Sequence, residues 1–257
     1  MEMAAGLAAL VDPADLALIV GAAFASAFVS GVAGFGGSFL LAIVLTPIVG
    51  PKAVVPLIAV YALCANIGRL YFYRRAIRWR LVAQFILASL PGLAVGAAFL
   101  KWVPETVLLA IFGLVLLAAI PLRRLLKRLD FKPTWQTIAV IGFVFGAISG
   151  TAVGSGMFVI AALNTFGLHG VYLMGTDAAI GIINALSRVV TFWFLGLLDL
   201  PMIVAGLLMG LVTLPASWLA SLLVARLGPS RHSLVIEVVI LLAGLGFVAS
   251  ALSRLFF

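Results

Sequence analysis

Asp177, Asn184 and Arg188 stand at intervals of 7 and 4 residues within a run that is otherwise almost wholly apolar. At 3.6 residues per helical turn those intervals place all three on one face, with Gly181 close beside it. Asn66 and Arg69 repeat the theme at a spacing of 3 in an earlier apolar run. Ionisable groups set inside a membrane span are costly and usually face a cavity or a partner. Arg188, well inside its run, is therefore a candidate ligand for an anion, with Asn184 on the same face. The competing reading is a buried pair with a carboxylate. Asp177 is a poor partner for it along one helix, being about 16 Å away at 1.5 Å per residue. Arg69 lies five residues before Arg74, where a long side chain can equally snorkel to the surface. Asp177 and Glu237 are acids well inside predicted spans, which makes them candidates to carry a coupling proton, H+. Each also lies near a predicted cytoplasmic end, where pairing with a nearby base is the plainer expectation.

A second set of residues offers backbone chemistry. GVAGFGGSFL, residues 31–40, places four glycines within seven positions of an apolar stretch, and GTAVGSGMFV, residues 150–159, echoes it. Glycine is the poorest helix former after proline, so both stretches predict helix breaks. A break exposes helix N-terminal amides, which carry partial positive charge and have no intrahelical partner. Gly34, Gly36, Gly37 and Ser38 in the first stretch, and Gly154, Ser155 and Gly156 in the second, are thus candidate anion contacts. Thr46 and Thr165 could add hydroxyl donors. The alternative use of such small residues is close helix packing.

These groups need elements to hold them. Of 257 residues, 65% are hydrophobic and 9% charged, with a mean hydropathy of +1.32, against roughly 25% charged in a soluble domain. Eight apolar blocks follow, at about 16–48, 53–73, 81–100, 104–122, 134–166, 172–197, 200–224 and 232–254. Six match one crossing of a bilayer. The blocks at 16–48 and 134–166 are too long for one crossing, short for two, and carry glycines near the middle. Arg74, Arg75, Arg78 and Arg80 mark one cytoplasmic loop; Arg123, Arg124, Lys127, Arg128 and Lys132 mark another. Residues 49–52 and both termini then fall outside. Each long block becomes a bent hairpin that enters and leaves on one side.

The expected fold is thus an all-α polytopic membrane protein with two inverted-topology repeats, each a bent hairpin plus three transmembrane helices, the plan of many secondary transporters. Residues 1–122 form the first repeat, 123–133 a basic cytoplasmic linker and 134–257 the second repeat. An offset of 119 residues aligns nine identities over positions 30–69, among them Ser30/Ser149, Gly37/Gly156, Thr46/Thr165 and Arg69/Arg188.

The run Gly31-Val-Ala-Gly34-Phe-Gly36-Gly37-Ser38, with its looser copy Gly150-Thr-Ala-Val-Gly154-Ser155-Gly156, resembles the TauE/SafE sulfite exporter family, also called TSUP. Its members carry G-x-x-G-x-G-G-G at the start of each half. Ser38 replaces the usual last glycine, and Val153 and Met157 depart from the motif in the second copy. The resemblance covers nearly the whole chain and implies a transporter in the cell (inner) membrane. The implied substrates are small anions, mostly sulfur oxyanions or organosulfonates such as sulfite, sulfoacetate or toluenesulfonate.

Other classes fit less well. A passive anion channel shares the electrostatics and differs in gating. Val153-Gly154-Ser155-Gly156 has the outline of an intramembrane serine hydrolase motif, but Val153 takes the first glycine position and no histidine lies in a span to act as base. The chain is therefore read as no enzyme. It has a single cysteine, no His/Cys/Glu cluster at ligand spacing and no phosphate-loop motif, so neither metal nor cofactor is expected. The net charge of +8 reflects topogenic loops rather than nucleic-acid binding. Expected partners are the small organic or inorganic anion and membrane lipid.

Overall fold

The computed structural model describes residues 13–33, 37–128 and 134–224, and every regular element among them is helical. In chain order these are α1 (Pro13–Ala33), α2 (Gly37–Val49), α3 (Pro51–Tyr73), α4 (Trp79–Trp102), α5 (Glu105–Arg128), α6 (Trp135–Thr151), α7 (Gly156–Thr165), α8 (Gly170–Phe194), α9 (Leu200–Leu211) and α10 (Thr213–Val224), with one 3-10 turn at Arg74–Ala76. Among the described residues, α3, α4 and α8 each have the length and apolarity to cross a membrane. The 53–73 and 81–100 blocks thus become α3 and α4. The block at 104–122 extends as α5 to Arg128, so the first part of the expected linker is helical. The last block, 232–254, lies outside the described residues.

Both overlong blocks divide. The first becomes α1 and α2, with the glycine run between them. The second becomes α6 and α7, separated by Ala152–Ser155. The two pairs are not alike. In the first, α2 folds tightly against α1: the Gly37 amide donates to Ser30 Oγ at 3.1 Å, and a Cβ on Gly37 would strike the Ser26 carbonyl. In the second, α6 and α7 diverge after the break. Helix α6 lies along α4, and α7 packs against α5 and α8.

The cause is a seam of small residues. Gly92 and Gly96 on α4 interlock with Gly142, Gly146 and Gly150 on α6. A Cβ on Gly92 would strike the Phe143 carbonyl; one on Gly96, the Ala147 carbonyl; and one on Gly146, the Ser89 carbonyl. Such close backbone approach is how apolar helices associate where lipid removes the hydrophobic drive. Thr151 fastens the seam's end, its Oγ1 lying 3.0 Å from both the Gly96 and the Ala147 carbonyl oxygens.

The block at 200–224, expected as one span, is instead interrupted at Val212 between α9 and α10. Pro215 explains the break: it has no N–H to give the Leu211 carbonyl. The Thr213 hydroxyl donates to the Gly210 carbonyl at 2.6 Å, and so satisfies part of the loosened ladder.

The helix ends sort into two groups. Lys52 Nζ donates to the Lys101 carbonyl at 3.4 Å, and Lys101 Nζ to the Leu195 carbonyl at 3.1 Å, while Glu105 lies beside Gly50. Arg78, Ile138, His169 and Tyr172 gather around one cavity at the opposite ends of α4 and α8. Exposed Trp79 and Trp135 start α4 and α6 at this second level, where interfacial aromatics belong. A buried core that includes Phe39, Val55, Ala152 and Phe192 joins the two halves of the chain between these levels.

Candidate functional site

Helices α3 and α8 run antiparallel, and the polar residues of both spans face their contact. Starting at the end marked by Val55, the Arg188 guanidinium reaches across from α8. Its Nη2 donates to the Val55 carbonyl oxygen at 3.1 Å, and its Cζ lies 5.7 Å from the Phe192 ring centroid, one turn along. Arg188 is 5% exposed. Its Nε is buried and has no hydrogen-bond partner, and no carboxylate pairs with it among the described residues. A buried guanidinium carries five fixed donors and full charge. Leaving such a group short of acceptors costs free energy that a bound anion would recover.

One turn back on α8, Asn184 is buried, and its Oδ1 lies 3.3 Å from Ser149 Oγ of α6. The face then narrows. Gly181 has no side chain, and a Cβ there would press on the Asn66 amide at 3.0–3.2 Å. Asn66 Nδ2 donates to the Ala62 carbonyl at 2.7 Å, and its Oδ1 accepts from Arg69 Nη2. Arg69 Nη1 completes the chain with Asp177 Oδ2 at 3.0 Å. Asn66, Arg69 and Asp177 thus form one network bridging α3 and α8. Arg69 does not snorkel outward; it turns inward to the acid of the other half. The base that neutralises Asp177 comes from another helix.

The helix breaks meet each other as well. Ala152 is extended at φ −131°, ψ 169°, and Gly154 takes φ +88°, a conformation that side-chain-bearing residues rarely adopt. The Phe39 ring, from the first turn of α2, fills the place a Gly154 side chain would need. Phe39 thus joins the tip of α2 to the break before α7. Ser155 is buried and makes no capping hydrogen bond to α7, whereas Gly156 is exposed with no heavy atom within 4 Å of where its Cβ would lie. On the other side, Gly37 is buried and Ser38 half-buried. Gly34, Gly36 and Glu237 lie outside the described residues.

Two expected donors are otherwise engaged. Thr46 Oγ1 donates to the Ala42 carbonyl at 2.5 Å, and Thr165 Oγ1 to the Ala161 carbonyl at 2.9 Å. Hydroxyls back-bonded to their own helix in this way do not supply the free donors expected of them.

Two participants were not foreseen. The Val55 carbonyl is backbone and carries no side-chain signature. Ser149 aligned with Ser30 across the halves, but nothing in its spacing pointed to Asn184. No group of His, Cys, Asp or Glu suited to a metal occurs among the described residues.

A sequence model of the family described as Sulfite exporter TauE/SafE matches residues 18–247. No curated protein and no solved structure matches the chain.

Proposed function

The chain belongs to the TauE/SafE sulfite exporter family, a family of membrane transporters, and from that premise we propose that it is a secondary transporter of small anions held at Arg188. The observation that carries this reading is the buried Arg188 guanidinium, whose Nε has no hydrogen-bond partner and which faces no carboxylate among the described residues. A tetrahedral or planar oxyanion supplies the acceptors and the negative charge that this group lacks. Sulfur oxyanions and organosulfonates have that chemistry. Asn184, Ser155 and the amides opening α7 are further contacts for the same ligand, with Gly156 allowing close approach. The anion would then sit between the paired breaks near the midplane.

Alternating access between two inverted halves is the accompanying mechanism. Under the internal alignment α1, α2 and α3 correspond to α6, α7 and α8, and α4 corresponds to α9 with α10. The contacts support this arrangement: α4 packs on α6, α10 packs on α1, and α3 packs on its own counterpart α8. The Arg69–Asp177 bridge lies beyond Arg188 along that shared contact, toward the Arg78 end. It is placed to close the anion's path there. A proton taken up by Asp177 would release Arg69, which makes this pair the candidate coupling device.

The test is flux into proteoliposomes of labelled sulfite, sulfoacetate, toluenesulfonate and thiosulfate, each with and without a pH gradient. Wild-type protein accumulates at least one of them against its gradient, and Arg188→Ala abolishes that flux while inserting normally. Unchanged affinity and rate in Arg188→Ala would overturn the assignment. Flux that never exceeds equilibration would replace alternating access with a channel.

A further inference from the structure

A cavity of about 830 Å3 lies away from Arg188, at the level where α4, α6 and α8 begin. It falls within the roughly 300–1,000 Å3 usual for small-molecule sites. Arg78, Arg80, Gln84, His169 and Tyr172 line it together with apolar residues such as Phe166, and among the described residues no carboxylate lines it. The Arg78 guanidinium lies over the Tyr172 ring, 5.0 Å from its centroid, which fixes one cation at the rim. The backbone here adds to the positive potential. Arg78 and His169 occupy the N-cap positions of α4 and α8, neither caps its helix through its side chain, and neither helix has an acid in its first turn. Two other helices are capped by side chains: Asp199 Oδ1 accepts from the Met202 amide at 2.9 Å, and Thr134 Oγ1 accepts from the Thr137 amide. A cationic residue at a helix N-terminus opposes the helix dipole. The Arg78 amide donates to Thr176 Oγ1 at 3.2 Å, and two helix openings without a side-chain cap beside two arginines make a site that an anion would complete.

Its depth identifies the source. Trp79, Trp135 and Tyr172 are all exposed at this level, and aromatic belts mark the boundary between hydrocarbon and headgroups. The neighbouring Arg74 and Arg75 extend the basic surface, the pattern of a cytoplasmic face. Basic pockets between helices at that height receive lipid headgroups. We propose that this cavity binds the phosphate of an anionic phospholipid, phosphatidylglycerol being the simplest example, with Arg78 and Arg80 as its charged contacts and Gln84 and Tyr172 as neutral donors.

Purified full-length protein in neutral detergent provides the test. Dioctanoyl-phosphatidylglycerol, dioctanoyl-phosphatidylcholine and inorganic phosphate are titrated separately, and the thermal unfolding midpoint is followed. Phosphatidylglycerol raises the midpoint saturably, phosphatidylcholine does not, and inorganic phosphate acts only at far higher concentration. In Arg78→Gln/Arg80→Gln the half-saturating concentration of phosphatidylglycerol rises roughly tenfold or more, as loss of charge-assisted bonds implies. Arg78→Lys/Arg80→Lys restores most of it. Native mass spectrometry of the wild-type protein in an equimolar mixture of the two lipids shows retained phosphatidylglycerol in excess, which decides the matter even where the glutamine variant misfolds. Equal retention of both lipids, or an unshifted titration in the glutamine variant, overturns the site. Inorganic phosphate as potent as the lipid overturns the lipid source in favour of a free anion.

Discussion

Arg69 Nη1 and Asp177 Oδ2 meet at 3.0 Å across the α3–α8 contact, although 108 residues separate them in the chain. Asp177 is buried and Arg69 partly so. Removing one member of a buried pair strands the other charge, which costs on the order of 3–5 kcal/mol, whereas replacing both with apolar groups is often neutral. Arg69→Met and Asp177→Leu should therefore each lower the thermal midpoint of the purified protein, and the double variant should recover most of the loss. Additive losses in the double variant would show that the pair does not act as a unit.

The same bridge gives a functional prediction. Where Asp177 accepts the coupling proton, Asp177→Asn should still exchange labelled substrate at equilibrium but should no longer accumulate it in response to a pH gradient. Proteoliposome counterflow and gradient-driven uptake, measured on one preparation, separate these activities. Gradient-driven accumulation that persists in Asp177→Asn would remove this residue from the coupling path.

Arg188 is expected to be intolerant even of lysine. Its Nη2 is committed to the Val55 carbonyl, and its planar fork can hold that contact while Nε faces a ligand. An ammonium carries its three donors on one atom and lacks the spaced, fixed fork that lets a guanidinium hold two acceptors on different sides. Loss of one charge-assisted hydrogen bond costs about 1.5–3 kcal/mol, so Arg188→Lys should weaken substrate affinity by roughly ten- to a hundredfold with insertion intact. Substrate-dependent protection against thermal unfolding measures this without reliance on turnover.

Much of this was legible in the sequence, because hydropathy and helical period act within single segments. The divided block at 134–166 followed from glycines in an overlong apolar run, and Asp177, Asn184 and Arg188 shared a face because 3.6-residue periodicity requires it. What faces that side is another matter. Periodicity on α8 does not reveal that Arg69 is the partner of Asp177, nor that a backbone carbonyl at Val55 receives Arg188. The divergence of α6 from α7 was readable only in hindsight, from the four-residue spacing of Gly92 with Gly96 and of Gly142, Gly146 and Gly150. The break at Val212 was masked by apolarity, since Pro215 lies in a run hydrophobic enough for an unbroken span. Thr46 and Thr165 misled because a hydroxyl in a helix can satisfy itself on the preceding turn.

The glycines of the α4–α6 seam and of the break before α7 differ in what surrounds them. Gly146→Val would force a side chain into the Ser89 carbonyl and should prevent assembly of the α4–α6 seam. Gly154→Ala meets both the Phe39 ring and a backbone at φ +88°, costing about 1–3 kcal/mol for the backbone alone. Gly156→Ala, by contrast, faces open space and should leave stability within about 0.5 kcal/mol. An unchanged thermal midpoint with reduced flux in Gly156→Ala would support close approach of the anion to the start of α7. Unchanged flux would exclude Gly156 from the path.

The two groups of helix ends make the inverted arrangement testable without substrate. Lys52, Lys101 and Leu195 are tied together at one level, while Arg78, His169 and Tyr172 share the cavity at the other. The arginine-rich end should be cytoplasmic, because positively charged loops are retained there. Native Cys64 packs against Gly210 and is replaced by alanine to give a silent background. In that background Lys52→Cys should react with a membrane-impermeant maleimide applied to intact cells, and His169→Cys should react only after the cytoplasmic face is opened. Gly50 and Lys52 flank the start of α3, and Lys52 is preferred because Gly50 holds φ +80°, which a cysteine would strain. Labelling of both positions from the same side would mean that the chain between them crosses an even number of times, and the two halves could not then be inverted copies.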